Sequence, residues 1–447
     1  MRTPVKRHDT VTTATFWLPC AAAIAVSTLA IALAACGGDD ESVAPTPSQQ
    51  SVVIADTGVN AVSTWNEIAT TTITQPATTG GTPEEARPNY AVDLATVHLA
   101  IYDAVMAIAR THAPYAVTPV SPSDGASPDA ATAAAAYGVL KALFPSRSAQ
   151  YQSAYDNFVA GLADDASRSK GLALGAEVAD KMVALRANDG RAIALPAFVS
   201  GTQPGQFRTA TSPVGRENPF IRPFVTVGHS QFRAPGPKPL TSAGYAADVN
   251  ETKALGFAAS TTRTAEQTDI ARFHTEAPPI FWTRNLRAFA KSSTSVADMA
   301  RLMAMVWVTQ ADAANACFES KYFYLAWRPF SAITLDGDNN ADTTIDASWT
   351  PVVPTPNHPE YPAAHGCVSG STAEILRAYF GTDQITFDFA SQVTGTTHHF
   401  TSATALVDEV TVARIAGGMH FRTALVDGEA LGKSVADWVA SHAFQKR

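Results

Sequence analysis

"KYFYLAWRP", residues 321–329, decides how the rest of this chain is read. Lys321 and Arg328 stand seven apart, the spacing of two helical turns, so on one helix both project from nearly one face. Pro329 ends such a helix and biases Arg328 away from helical geometry. Phe323, Tyr324, Leu325, Trp327 and Phe330 surround the two cations, so the segment reads as buried. Two cations among aromatic side chains are costly to bury unless an anion meets them.

Two further stretches extend the pattern. In "EYPAAHGCVSGS" (360–371) Pro362 suits the first turn of a helix, whose N–H groups offer positive partial charge beside His365. In "ARIAGGMHFR" (413–422) Arg414 and His420 are six apart, which on a straight helix puts them on different faces. The Gly417-Gly418 pair can break that helix and return His420 toward Arg414. Taken together, the stretches hold three cations and two imidazoles, a set suited to a tetrahedral oxyanion. The cations neutralise equatorial oxygens, one histidine attacks or ligates the central atom, and the other exchanges a proton.

The order and spacing of these five residues resemble the vanadium-dependent haloperoxidase and type 2 phosphatidic acid phosphatase superfamily. Its signature reads K-x6-R-P, then P-S-G-H, then S-R-x5-H-x3-D. Flanks such as "SQFRAPGPKPLTSAGYAADVNETKALG" (230–256) and "TPNHPEYPAAHGCVSGSTAEIL" (355–376) are similar to its bacterial haloperoxidase-like branch. The resemblance implies an all-α fold, with two four-helix bundles packed around one oxyanion site. It implies Lys321, Arg328, Arg414 and the backbone N–H of Ala364 as the oxyanion cradle. His420 would bond vanadate, and His365 would be the acid–base group. The implied reaction is halide oxidation by hydrogen peroxide with vanadate as cofactor and phosphate as a competing anion. The runner-up is an acid phosphatase acting on a phosphoester with His420 as nucleophile; a third reading is an oxyanion-binding lipoprotein with weakened catalysis. Four positions depart from the signature: Ala363 and Ala364 replace its serine and glycine, Ala413 its second serine, and Ala424 its aspartate. Loss of one oxyanion donor costs about 10²–10³ in rate. Asp427 is the nearest substitute for the missing aspartate.

The remaining sequence sets the context. Hydrophobic residues make up 46% and charged ones 16%, which reads as globular and mostly helical. Basic residues at 2, 6 and 7 precede an apolar stretch from Phe16 to Ala35 that ends "LAAC" at 33–36. This resembles a lipoprotein signal (1–35), with lipid on Cys36. Gly37 in place of aspartate favours outer-membrane attachment facing the periplasm, so the membrane is met through the lipid only. Arg2, Lys6 and Arg7 against Asp9 give that segment +2, so the −8 of the whole chain becomes −10 without it. With no basic stripe, nucleic acid is excluded as a partner. "GGDDESVAPTPSQQ" (37–50) opens a tether over 36–54, and a single helical domain is expected over 55–447. Cys317 and Cys367, beside the two motifs, either bridge in a compartment that permits disulfides or sit as buried thiols. Helical periodicity marks 60–73, 89–109, 130–144, 149–163, 170–187, 264–275, 281–291, 295–325, 369–380, 403–416 and 427–443. Residues 190–255 read as a Pro/Gly/aromatic excursion over a pocket, and no alternation long enough for a sheet stands out. The oligomeric state is not legible.

Overall fold

Polar caps start the helices where the apolar periodicity begins. Asn60, Asn89, Ser127, Asp165, Ser242, Thr264, Ser295 and Ser402 each accept a first-turn backbone N–H, satisfying donors that have no partner inside the helix. The computed structural model describes residues 50–74, 81–292, 295–335 and 337–447. The signal segment and Cys36 lie outside the described residues.

The helices run α1 (Ala61–Ile73), α2 (Pro83–Ala86), α3 (Tyr90–Ala109), α4 (Pro128–Leu143), α5 (Ser148–Ala160), α6 (Ala166–Arg186) and α7 (Ala243–Gly256). They continue α8 (Ala265–Phe273), α9 (Pro278–Lys291), α10 (Val296–Tyr324), α11 (Pro329–Thr334), α12 (Ala364–Phe380), α13 (Ala403–Ala416) and α14 (Arg422–His442). The fold is helical, as expected. In the first bundle α4 packs on α6 and α3, with α1 alongside. In the second, α12 packs on α14, α10 and α13, and α10 also lies against α3 and so joins the two bundles. Among the described residues α3 is the one helix long and apolar enough to cross a membrane, but its apolar length is buried inside the protein.

Three features differ from the sequence reading. Residues 385–390 form β2 (Ile385–Ala390), paired antiparallel with β3 (Thr397–Phe400) and parallel with β1 (Val52–Val53). The alternation is present, with Ile385, Phe387 and Phe389 inward, but six residues are too few to stand out among long helices. Because Val52 pairs with Ile385, the chain joins the fold before residue 55. The excursion over 190–255 ends in α7, which buries Tyr245, Val249 and Thr252 at helical spacing. Its middle is pinned to α10 by Asp312, whose carboxylate accepts the N–H groups of Phe224, Val225 and Thr226 at 2.8–3.0 Å.

The closest helix contact positions the site. A Cβ at Gly366 would lie 2.6 Å from Leu425 O, one at Gly428 2.7 Å from Ala363 O, and one at Gly432 2.1 Å from Cys367 O. Only glycine permits this approach, and it fixes the N-terminus of α12, with His365, against α14. Cys317 of α10 and Cys367 of α12 form a disulfide across the same region.

Candidate active site, a buried cluster of cations and imidazoles

The first stretch does not lie on one helix. α10 stops at Tyr324 because Leu325 turns left-handed (φ 52°) and returns its N–H to Lys321 O. Arg328 is instead the extended N-cap of α11, with Pro329 in its first turn, so the two-turn spacing along one face is replaced by a turn between two helices. Trp327 is buried, whereas Phe323 and Phe330 are exposed. Lys321 is fully buried and its ammonium donates to the carbonyls of Pro359 (2.9 Å), Glu360 (3.0 Å) and Pro362. Three acceptors use all three of its donors, so Lys321 ties α10 to the segment leading into α12 and contributes charge from behind the cavity wall. Burial, helped by Arg328, holds its pKa well below the usual lysine value.

Arg328 is spread over several partners: Nε on His358 O (2.8 Å), Nη1 on Met419 O (2.9 Å) and His420 Nε2 (3.0 Å), and Nη2 on His358 Nδ1 (3.0 Å). None of these is an anion. Burial lowers its pKa to about 10, against the raising pull of Glu360.

His420 sits where the third stretch predicts a break. α13 ends at Ala416, Gly418 adopts φ +77°, and Met419 N–H turns back to Arg414 O at 3.1 Å. A residue other than glycine is strained in that conformation. The ring of His420 lies between a carboxylate and a guanidinium. Nδ1 is 3.1 Å from Glu360 Oε1, and the same oxygen accepts the N–H of Phe421 at 3.0 Å. Glu360 requires a donor at Nδ1 and Arg328 an acceptor at Nε2, so the neutral ring carries its lone pair on Nε2. Burial holds the imidazole well below its ordinary pKa. Burial also pushes Glu360 up to about 7, against Phe421 N–H, Lys321 and Arg328.

Glu360 therefore holds the His420 ring through Nδ1. Asp427, the nearest substitute in sequence, instead accepts the Tyr361 hydroxyl at 2.7 Å. The available signal was an acid in "HPEYP", five residues before His365 in an otherwise apolar, proline-bounded segment.

Arg414 and His365 face a cavity of about 550 Å³, also lined by His274, His358, His420, Ala364, Trp282, Phe318 and Met419. Val214, Gly215, Glu217 and Asn218 of the excursion close one side. Arg414 donates to His274 O (3.2 Å) and Met419 Sδ (2.8 Å), while among the described residues its buried Nε has no partner and no carboxylate offsets its charge. Burial, with Arg328 adding to it, brings its pKa down to about 9. His365 is the second residue of α12, its ring has no hydrogen-bond partner among the described residues, and burial together with Arg414 depresses its pKa. Pro362 precedes the helix rather than opening it: Ala363 is the N-cap and offers no side-chain bond. Ala364 lines the cavity with its first-turn N–H, which has no acceptor within the helix. Ala363, Ala413 and Ala424 are sealed and do not line it.

Among the described residues, one buried carboxylate, Glu360, thus offsets Lys321 and Arg328, and none offsets Arg414. An unpartnered guanidinium nitrogen, a helix N-terminus and an aimed Nε2 lone pair fit an oxyanion such as vanadate or phosphate. Two more imidazoles belong to the site that the motifs did not reveal. His358 lies against Arg328 and on the cavity wall. His274, at the end of α8, donates Nε2–H to Glu409 at 2.9 Å. His358 lies within the family-like flank 355–376 but outside the five-residue motif, and His274 is brought in by the fold.

Comparison with known proteins bears on the fold. Residues 301–447, which contain all five motif residues, match the family model described as the VCPO second helical-bundle domain. The fold is similar to a bacterial vanadium-dependent iodoperoxidase, 23% identical, over 86% of this chain and 95% of that one, with a TM-score of 0.68. It is also similar to bacterial vanadium-dependent chloroperoxidase in its apo form (17% identical, 84% and 97% coverage, TM-score 0.62) and its holo form (17%, 84% and 95%, 0.59). No curated protein sequence gives a significant match. The resemblance carried by five residues extends to the whole helical fold.

Proposed function

We propose that the chain is a vanadium-dependent haloperoxidase that oxidises halide with hydrogen peroxide. The observation that carries this reading is Arg414, a buried cation whose Nε has no partner among the described residues, lining one cavity with His420, whose ring Glu360 holds through Nδ1, and with two further cations behind it. Bound vanadate would act as a Lewis acid toward peroxide. The chain's own residues hold and surround it. His420 offers Nε2 as the ligand, and Glu360 keeps Nδ1 protonated and the ring in place. Arg328 turns its Nη1 from His420 to the anion, Arg414 supplies charge opposite, and the α12 N-terminus adds the N–H of Ala364. His365 exchanges protons at the reacting oxygen. Trp282, Phe318, Val368 and Met419 limit water in the cavity.

A phosphatase is the second reading, and Glu360 favours it. A carboxylate-oriented histidine whose Nε2 lone pair Arg328 releases to a bound anion is also a competent nucleophile. The two are separated by assaying the vanadate-loaded protein for iodide and bromide oxidation and the vanadate-free protein for phosphomonoester hydrolysis. Halide oxidation abolished by His420→Ala supports the first reading. Hydrolysis inhibited by vanadate, with no halide oxidised, replaces it by the second, and tight vanadate binding with neither activity leaves an oxyanion-binding protein. On the same proposal, Cys36 carries lipid and holds the enzyme at the outer membrane facing the periplasm. Lipid labelling lost in Cys36→Ser tests this.

A further inference from the structure

Whereas His365 has no hydrogen-bond partner among the described residues, His274, on the cavity wall beside Arg414, is held by a carboxylate. Its Nε2 lies 2.9 Å from Glu409 Oε1. Its Nδ1 has no hydrogen-bond partner among the described residues, is not sealed from space, and belongs to a residue that lines the cavity. Because a carboxylate accepts and cannot donate, Nε2 carries the proton and Nδ1 the lone pair. The same oxygen of Glu409 is bound by His398 Nδ1 at 2.8 Å, and His398 Nε2 lies 3.0 Å from Asp269 Oδ2, a half-exposed carboxylate. His398 also stacks on Phe273, with ring centroids 3.7 Å apart, so the carboxylate is fixed from both sides. Four residues from α8, β3 and α13 therefore run from the cavity to the surface. None belongs to the five-residue motif.

We propose that His274 is a second acid–base group of this cavity, exchanging its proton at Nδ1, with Glu409 and His398 as the residues that position it. The inference rests on the haloperoxidase reading for the identity of the proton's acceptor. Halide, hydrogen peroxide and one proton give hypohalous acid and water. The peroxide O–O bond breaks, a halogen–oxygen bond forms, and two electrons pass from halide to peroxide. The released oxygen leaves as water with the added proton. His274 supplies that proton as imidazolium, Glu409 stabilises the charged ring through Nε2–H, and the ring reloads from solvent. The groups facing His274 are Glu409 and Arg414 of α13, His398 of β3 and His365 of α12. Burial depresses the His274 pKa while Glu409 pulls it back up. Burial would raise Glu409, but its bonds from His274 and His398 bring it below the usual carboxylate range.

The test uses the full chain with His274→Gln and Glu409→Gln. In the vanadate-loaded protein, His274→Gln should lower kcat for iodide oxidation about 10²–10⁴-fold, the usual range for a general acid–base group. Glu409→Gln should shift the alkaline limb of the pH–rate profile to lower pH with vanadate affinity unchanged. In the vanadate-free protein, imidazole nitrogen NMR should show His274 protonated on Nε2 and titrating at Nδ1, with its midpoint lowered by Glu409→Gln. A His274→Gln variant that folds and turns over at the wild-type rate with the same pH profile overturns the proposal, as does a His274 protonated on Nδ1. If wild type oxidises no halide but the NMR signature is present, the haloperoxidase reading fails and the pairing of His274 with Glu409 stands.

Discussion

Replacing Arg414 by methionine should make the anion-free protein more stable, not less. Arg414 is buried without a carboxylate, and its pKa falls from 12.5 to about 9. At about 1.4 kcal/mol for each pH unit, keeping that guanidinium charged costs about 5 kcal/mol. Methionine removes the charge and fills much of the volume but strands His274 O, which now accepts from Nη1. That loss returns about 1–3 kcal/mol, leaving a net gain of about 2–4 kcal/mol, in line with other buried charges replaced by apolar side chains. For a unit spanning Gln49–Arg447, an unfolding entropy of about 2 cal/mol/K per residue converts this to about 2–5 °C in Tm. Vanadate at a hundredfold excess over its Kd should add about 2.7 kcal/mol to wild type, about 3 °C, and nothing to the variant. Thermal melts in phosphate-free buffer, with and without vanadate, read both effects. A variant that melts below wild type without anion and still rises with vanadate would refute the argument that Arg414 waits for an anion.

Glu360→Ala strands His420 Nδ1–H and the N–H of Phe421, and should weaken vanadate binding 10–100-fold in a direct titration; unchanged affinity would remove Glu360 from the site. The Cys317–Cys367 bridge closes a 50-residue separation, so the double alanine variant should lose about 4 kcal/mol in denaturant unfolding, and a loss below about 1 kcal/mol would contradict this. His365 has a folded pKa held below 6.5 by burial, so the folded state binds fewer protons than the unfolded chain just below that pH. Its stabilising contribution is complete above about pH 6.5 and is lost as pH falls. Relative to His365→Asn, wild type should therefore lose up to about 1 kcal/mol between pH 6.5 and 5.5, and a gain over that window would reverse the sign of the argument.

Long helices were legible because their periodicity persists over many residues, as in α3 and α10. The β2 strand was not, because six alternating residues are a weak signal. Nor was the end of α10, since Leu325 gives no hint in sequence that it turns left-handed. The five motif residues could be named from order and spacing alone, but their partners could not. Glu360 reaches His420 across 60 positions, and Glu409 reaches His274 across 135. Such pairs exist only after folding, and no local pattern announces them. The same limit misassigned the orienting carboxylate to Asp427, which is near in sequence and bonded elsewhere. The alanines at 363 and 424 looked like losses of function. Ala363 is a sealed helix cap, and Glu360 holds the His420 ring through Nδ1.

The central claim is that His420 holds vanadate and that the loaded site oxidises halide. Titrating vanadate into the purified, phosphate-free protein while following iodide oxidation by hydrogen peroxide tests it most directly. Activity should rise to a plateau at one equivalent of vanadate and be absent from His420→Ala at every concentration. Vanadate bound at one equivalent with no iodide oxidised, or equal activity in the His420 variant, would contradict it.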